Sequence, residues 1–80
     1  MQTFLEELIK KIVSNPEAVK VSQVDDVEGI KFEVRVDTVD FGRVIGKGGK
    51  TINAIRNLFN LYKHNNHPDE LKRVYVNLVE

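Results

Sequence analysis

The spacing of hydrophobic positions along the chain changes twice, and each change predicts a new element. Residues 3–14 have the period of an amphipathic helix, which Asn15-Pro16 is expected to end because a residue before proline avoids helical angles. Thr3 followed by Glu6 matches a capping box at its start. The apolar face of this predicted helix consists of Phe4, Leu5, Leu8, Ile9, Ile12 and Val13.

Two stretches of alternating residues follow the helix and predict strands. Val19 and Val21 alternate with polar residues, and residues 30–36 place an apolar side chain at every second position. The short polar connection, which includes Gly29, favours an antiparallel hairpin with one buried face. Asp37 continues the alternation and is expected to be a surface charge on the exposed face.

The second half of the chain predicts two helices and a strand around a glycine-rich segment. Asp40 is expected to cap a short helical turn that the glycines then interrupt. A longer helix follows, then a polar loop at residues 64–69 and a third strand at residues 74–79. The core face of the longer helix is predicted to contain Ile52, Ile55, Leu58, Phe59 and Tyr62.

Length and composition exclude several classes of protein. Eighty residues are expected to form one domain, residues 1–80, near the lower size limit for a single core. The absence of cysteine excludes disulfides, zinc–thiolate sites and a cysteine nucleophile. No catalytic set is apparent from spacing, and His64 and His67 are interpreted as surface residues. The sequence therefore predicts a protein that is not an enzyme, has no cofactor or metal, and resides in the cytoplasm.

The formal net charge is zero, with 12 basic and 12 acidic residues, which at first argues against nucleic-acid binding. The charge is unevenly distributed, however. Residues 39–63 contain five basic residues and one acid, a net +4, whereas residues 1–38 carry −3 and residues 64–80 carry −1. Positive charge beside glycines and a helix start favours an anion such as phosphate.

Three glycine motifs compete for this segment. A nucleotide P-loop is matched at Gly49-Lys50-Thr51, but its first glycine position holds Val44. The dinucleotide motif is matched at Gly46 and Gly48, but its third glycine position holds Thr51, and the βαβ context is missing. The G-x-x-G motif, which clamps nucleic-acid backbone, is matched by residues 46–49 with aliphatic residues on both sides.

The stretch Val44-Ile45-Gly46-Lys47-Gly48-Gly49-Lys50-Thr51-Ile52 resembles the signature of the KH domain. With the lead-in at residues 40–43 and the helix-strand-strand-helix-helix-strand order, the whole chain is similar to the small bacterial stand-alone KH proteins of the KhpA family. The resemblance implies an α+β, type II KH fold, in which a three-stranded mixed sheet packs against three helices on one face.

The resemblance also implies a function. A KH domain binds about four nucleotides of single-stranded RNA through its glycine loop and an adjacent aliphatic groove. The family adds the role of an RNA chaperone and post-transcriptional regulator, a homodimer or a complex with a second, larger KH-containing protein, and links to cell shape and cell-wall biogenesis. The residues expected to bind RNA are Arg43, Ile45, Gly46, Lys47, Gly48, Gly49, Lys50 and Ile52.

An alternative function for the glycine loop stays open at the level of sequence. The glycine loop is also consistent with a structural turn in a protein-interaction module, which the zero net charge and the small core favour.

Arg56 and Lys63 are interpreted as solvated helix positions that take no part in binding. No aromatic residue lies in the loop, so base stacking on a ring is not expected to dominate the affinity, and a partner would add avidity.

Overall fold

The computed structural model describes residues 1–79, in which three helices cover one face of a three-stranded mixed sheet. This arrangement confirms the predicted α+β fold and the predicted order of helices and strands. Two 3-10 turns, at Pro16–Ala18 and Lys47–Gly49, complete the chain. The elements are α1 (Gln2–Lys10), β1 (Lys20–Asp26), β2 (Gly29–Arg35), α2 (Thr38–Ile45), α3 (Lys50–Asn66) and β3 (Val74–Val79).

The sheet has the order β1-β2-β3, so that β2 is central and the other two strands are its edges. Strands β1 and β2 form the predicted antiparallel hairpin, closed by the pair Asp26 and Gly29. Strand β3 runs parallel to β2, with Val76 opposite Phe32. The parallel pairing requires a long crossover, and α2, the glycine loop and α3 supply it.

The core lies between the sheet and the helices. Phe32 of β2 and Phe59 of α3 are fully buried, and their rings meet edge to face at 4.9 Å. Such a pair adds about 0.5–1.5 kcal/mol to the free energy of burial. The other buried apolar residues are Leu5, Ile9, Val13, Val19, Val21, Ile30, Val34, Val44, Ile52, Ile55 and Val76.

Helix α1 ends at Lys10, four residues before the predicted end. The amide of Ile12 donates to the carbonyl of Ile9, a tighter turn than an α-helix makes. The amide of Val13 also donates to the carbonyl of Ile9, at 3.3 Å, and the amides of Ser14 and Asn15 then donate to the Asp40 carboxylate instead of to helical carbonyls. The capping-box prediction was also wrong, because Met1 occupies the N-cap position and no side chain caps this helix.

Helix α2 begins earlier than predicted, and the cap is Asp37 rather than Asp40. The Asp37 carboxylate accepts a hydrogen bond from the amide of Val39 at 3.1 Å. The interpretation of Asp37 as a strand surface charge was therefore wrong, since β2 has ended at Arg35. A capping carboxylate at this position satisfies an amide that the helix itself leaves unpaired.

Asp40 is fully buried within α2 and fixes this helix to the segment after α1. Its carboxylate accepts hydrogen bonds from the Ser14 amide at 2.9 Å, the Ser14 hydroxyl at 2.8 Å and the Asn15 amide at 3.1 Å. The backbone hydrogen bond from Ser14 is the largest factor that lowers the pKa of Asp40, and it outweighs the opposing effect of burial. Asp40 therefore stays ionised and holds α2 in place.

The predicted core face of α3 is correct except at one position. Ile52, Ile55 and Phe59 are buried, but the side chain of Leu58 is 48% exposed. One helical residue rotates the side-chain direction by about 100°, so the residue before buried Phe59 points away from the sheet. Tyr62 is half-buried, and its ring stacks on that of Phe4 with centroids 4.0 Å apart.

Within residues 1–79, the longest and most apolar helical stretch still falls short of what a membrane crossing requires.

Candidate nucleic-acid interface

The glycine loop begins where α2 ends, at Gly46. The amide of Gly46 donates to the carbonyl of Gly42 at 2.8 Å, and its φ of 77° reverses the chain direction. A Cβ at this position would lie 2.8 Å from the backbone nitrogen of Thr51. Both the backbone angle and the close approach to the next helix therefore require glycine here.

The middle of the loop is open. Residues Lys47–Gly49 form a 3-10 turn, which the hydrogen bond from the Gly49 amide to the Gly46 carbonyl closes at 3.1 Å. Gly48 has a φ of 63°, yet a Cβ on it would meet no atom within 4 Å. Internal packing thus leaves the backbone around Gly48 accessible, and another molecule has room to approach it closely.

Helix α3 begins without a side-chain cap. Its N-cap residue is Gly49, which has no side chain to accept a hydrogen bond from the first turn. The first amides of a helix have no partner within the helix, and they lie at the positive end of its dipole. An exposed helix start of this kind favours an anion such as a phosphate group.

The basic residues around the loop differ in how far their charge is compensated. Lys47 and Lys50 are exposed, and neither takes part in an ion pair among residues 1–79. The Arg43 guanidinium lies 3.9 Å from the Asp40 carboxylate, and more than half of its side chain is exposed. The two lysines therefore contribute the uncompensated positive charge next to the open backbone, with Arg43 at the flank.

The two aliphatic residues predicted to line a groove lie on either side of the loop. Ile45 is half-buried at the end of α2, whereas Ile52 is only 8% exposed and belongs to the core. The loop thus has an apolar base that is mostly covered. The predicted residues from Gly46 to Lys50 are continuous in the chain, with Lys47, Gly48 and Lys50 exposed and Gly46 and Gly49 partly buried. Arg43 and Ile45 border this loop, and Ile52 lies beneath it.

A second polar surface begins beside this loop, at the free edge of β3. The carbonyl of Arg73 accepts a hydrogen bond from the amide of Ile30, so this end of β3 points its polar groups toward β2. Backbone polar groups alternate in direction along a strand. The amide and carbonyl of Val76 therefore point away from β2, toward the outer edge.

Arg56 of α3 lies against this edge. Its Nε donates to the carbonyl of Val76 at 3.1 Å, and its Nη1 donates to the side-chain oxygen of Asn53 at 3.3 Å. Arg56 is exposed, as the sequence predicted, and its guanidinium in addition makes these two hydrogen bonds. Arg56, Asn60 and residues 74–77 line a recess of about 150 Å³ between α3 and β3.

The sequence reasoning missed Asn53, Arg56 and Asn60 as members of a candidate site. The three residues are spaced three and four apart, so they share one face of α3. That polar row was visible in the sequence, but its position over the edge of β3 depends on the parallel crossover. A row of polar residues along one face of a helix that begins at a glycine loop is the sequence signal that would have identified these three residues.

The fold and loop described above are those of a KH domain, and comparison with known proteins gives the family. The family model described as "KhpA/KhpB, KH domain" matches residues 2–78. The chain therefore belongs to the KhpA/KhpB KH-domain family, as its sequence signature predicted.

Curated relatives share a large part of the chain. A protein of Chlamydia pneumoniae named RNA-binding protein KhpA is 43% identical over 58 residues, which cover 72% of this chain and 74% of the relative. A protein of the same name from Halalkalibacterium halodurans is 38% identical and covers 72% of this chain and 76% of the relative. One from Mycobacterium bovis is 43% identical over 54 residues and covers 68% of each chain. No solved structure matches the chain.

Proposed function

We propose that this protein binds about four nucleotides of single-stranded RNA, with the GKGG loop on the sugar-phosphate backbone. The observation that carries the proposal is the open backbone at Gly48 between Lys47 and Lys50, which form no ion pair within residues 1–79, next to a helix start without a side-chain cap. This combination supports phosphate binding, because amides, helix dipole and cations all favour the same anion. The names of the curated relatives support RNA as the source of that phosphate.

The loop and the recess beside β3 form a path for the RNA chain along α3. Lys50 begins this helix and Asn60 lines the recess, so at about 1.5 Å per residue the path is about 15 Å long. Such a length suits a few extended nucleotides, with phosphates at the loop and bases toward the recess. KH domains bind single strands in this way because unstacked bases expose their edges.

Replacing Lys47 and Gly48 together by Asp tests the role of the loop. Two carboxylates would then repel phosphate where the protein now has a cation and bare backbone. The fold is expected to survive, because a Cβ at Gly48 meets open space and Asp tolerates a positive φ. We expect crosslinking to short single-stranded RNA to be lost while the circular dichroism spectrum is unchanged. Unaltered RNA binding by the folded double variant would disprove the proposal.

The salt dependence of binding provides a second test. Each phosphate contact is expected to contribute a slope of about −0.7 to the log–log plot of affinity against salt, so a few contacts give about −2 to −3. A titration of fluorescently labelled RNA at several salt concentrations measures this slope. A slope near zero would mean that phosphate contacts do not carry the binding.

The broader cellular role is inferred from membership of the KhpA/KhpB family. We infer that the protein is a cytoplasmic RNA chaperone and post-transcriptional regulator, with links to cell shape and cell-wall biogenesis. An RNA chaperone must bind RNA only briefly and without forming an ordered complex. A small domain with a single basic loop suits this role. The rate at which two complementary labelled RNA strands anneal, measured with the wild type and the Lys47→Asp/Gly48→Asp variant, tests this role. Equal rates for both proteins would exclude it.

A protein-interaction function is the second candidate, and the outer face of α3 favours it. Leu58 and Leu61 are 48% and 56% exposed, and Ala54 continues the same uncharged stripe. Large exposed apolar residues that lie together suit a partner surface. The partner is expected to be a second copy of the chain or a larger KH-containing protein.

Sedimentation of the wild type and of a Leu58→Glu/Leu61→Glu variant tests this interface. A wild-type dimer that the substitution converts to a monomer would support self-association through α3. If both proteins are monomeric alone and both bind RNA equally well, the stripe has no role in self-association and RNA binding stands by itself.

A further inference from the structure

The Asp40 carboxylate links the segment after α1 to the flank of the glycine loop. Its Oδ1 accepts hydrogen bonds from the Ser14 amide at 2.9 Å and from the Ser14 hydroxyl at 2.8 Å. Nη1 of Arg43 lies 3.9 Å from the same oxygen. Ser14 and Arg43, which are distant in sequence, are therefore both neighbours of one carboxylate oxygen.

The two hydrogen bonds from Ser14 determine how Arg43 interacts with this oxygen. A carboxylate oxygen has two lone pairs, so two donors saturate Oδ1. The separation of 3.9 Å is too long for a hydrogen bond, and the Arg43 guanidinium is attracted to Asp40 by charge alone. This attraction is weak, because 58% of the Arg43 side chain is exposed and water screens its charge.

A weakly held guanidinium at this position is available to RNA. Arg43 precedes Gly46 by three residues, a rise of about 4.5 Å along α2, which is within the reach of an arginine side chain. Arginine forms strong hydrogen bonds to carboxylates and to phosphates alike, so the two anions compete for its donors. Arg43 serves a phosphate at the loop only as long as Asp40 does not hold it.

We propose that Ser14 is a positioning residue for RNA binding: its hydroxyl occupies Asp40 and thereby keeps the Arg43 guanidinium available for a phosphate of the bound strand. Without the hydroxyl, Oδ1 has a free lone pair, and Arg43 closes onto it and is withdrawn from the RNA. This inference rests on the proposed RNA binding and adds a residue outside the predicted site that controls one of its phosphate contacts.

A double-mutant cycle of Ser14→Ala and Arg43→Gln tests this coupling. Each single substitution is expected to weaken the binding of single-stranded RNA about fivefold at about 0.1 M salt and to reduce the log–log salt slope by about 0.7, the contribution of one phosphate contact. The double variant is expected to lose no more than Arg43→Gln alone, since both changes remove the same contact. Fluorescence anisotropy of labelled RNA measures the affinities, and circular dichroism checks that each variant is folded.

Two further variants provide the controls. Ser14→Thr keeps the hydroxyl and is expected to restore the wild-type affinity and salt slope. Ser22→Ala makes the same truncation at the other serine of the chain, which is exposed on β1. It is expected to leave both quantities unchanged.

Each result has a defined meaning. An unchanged salt slope in Ser14→Ala, or losses that add up in the double variant, would show that Ser14 acts only on the stability of α2 and would overturn the proposal. Wild-type affinity of Arg43→Gln would likewise overturn it while leaving RNA binding intact. A folded wild type that binds no RNA would overturn the proposed RNA binding itself.

Discussion

The two glycine-containing turns of this molecule, at the β1–β2 hairpin and at the GKGG loop, use glycine for different reasons. In the hairpin, a Cβ on Gly29 would lie 2.5 Å from the carbonyl oxygen of Arg73. That carbonyl accepts the amide of Ile30 at 2.8 Å, which brings β3 close. In the loop, a Cβ on Gly48 would meet no atom within 4 Å. Gly29 thus allows the backbone before β3 to approach the hairpin closely, whereas Gly48 leaves space that another molecule can occupy.

The charges around the two turns also differ. The hairpin turn carries Asp25, Asp26 and Glu28, and one of these pairs with Lys31 at 3.6 Å. The GKGG loop has one charged residue, Lys47, and Lys50 follows it at the start of α3. The segment charges of −3, +4 and −1 sum to zero, and the two turns illustrate this division, with acids at the hairpin and basic residues around the loop. A total charge hides such a division, whereas a phosphate responds to the local charge within about a Debye length.

The largest effect is expected for Gly46→Ala, which introduces a side chain where the loop has no space. A Cβ would lie 2.8 Å from the Thr51 backbone nitrogen, and the φ of 77° is unfavourable for alanine. We expect a loss of about 3 kcal/mol in the free energy of unfolding, measured by urea denaturation. Gly42→Ala is the matched control: its Cβ meets open space within a helix, so a gain of about 1 kcal/mol is expected. Equal effects of the two substitutions would contradict the packing argument.

Charge reversals at the loop and on the sheet test whether the location of the charge or the total charge determines RNA affinity. Lys47→Glu with Lys50→Glu is expected to weaken RNA binding at least about 100-fold, because the phosphate contacts dominate the affinity. Lys20→Glu with Lys31→Glu changes the net charge by the same amount on β1 and β2. A loss of less than about threefold is expected for this control. Fluorescence anisotropy compares the two variants, and similar losses would mean that only net charge matters.

Asp40→Asn tests the buried acid of α2, and the Asp37 carboxylate that caps the same helix provides the comparison. The variant removes an ionised acceptor of three hydrogen bonds, so we expect a lower midpoint of thermal unfolding near neutral pH. Because the hydrogen bonds from Ser14 and Asn15 hold the folded-state pKa of Asp40 below its ordinary value, its contribution is fully present above the unfolded-state pKa and is lost as the pH falls through the folded-state pKa. The difference between variant and wild type is therefore expected to shrink in acid.

Asp37→Asn serves as the control for this experiment, since asparagine is an equally good helix cap and the variant loses only the hydrogen bond that Nδ2 of Asn15 donates to Asp37 at 3.0 Å. It is expected to change the midpoint much less than Asp40→Asn at every pH. A pH-independent difference between Asp40→Asn and the wild type would argue against an ionised Asp40.

The smallest effect is expected at Gly48, where only the backbone angle disfavours a side chain. Gly48→Ala is expected to cost about 1 kcal/mol, the penalty for an L-residue at the φ of 63° found there. Gly48→Asn is expected to cost less, because asparagine visits this region more readily. Denaturation midpoints of the two variants give the comparison. A loss as large as that of Gly46→Ala would show that Gly48 is closely packed after all.

Much of the fold followed from local patterns. The alternation over residues 30–36 predicted a strand with one buried face, and the structure buries Ile30, Phe32 and Val34. The helical period predicted α3 and most of its core face. Several errors fell at element ends: Asp37 has the capping role expected of Asp40, and Asp40 is buried within α2. Either aspartate is a good cap by residue type, and only Ser14 and Asn15, distant in sequence, decided which one was buried.

The candidate site, like the fold, has one part that the sequence predicts and another that it does not. The sequence by itself determined the loop, since the spacing of glycines and lysines between two helices is a local property that also carries the family signature. Only the tertiary structure placed Arg56 on the carbonyl of Val76, because 20 residues separate them and the parallel pairing of β3 brings them together. Local periodicity reports which face of an element is apolar, but it holds no information on which strand edge a polar face will meet. That choice depends on the packing of the whole chain, and here it places a row of polar side chains beside a free strand edge.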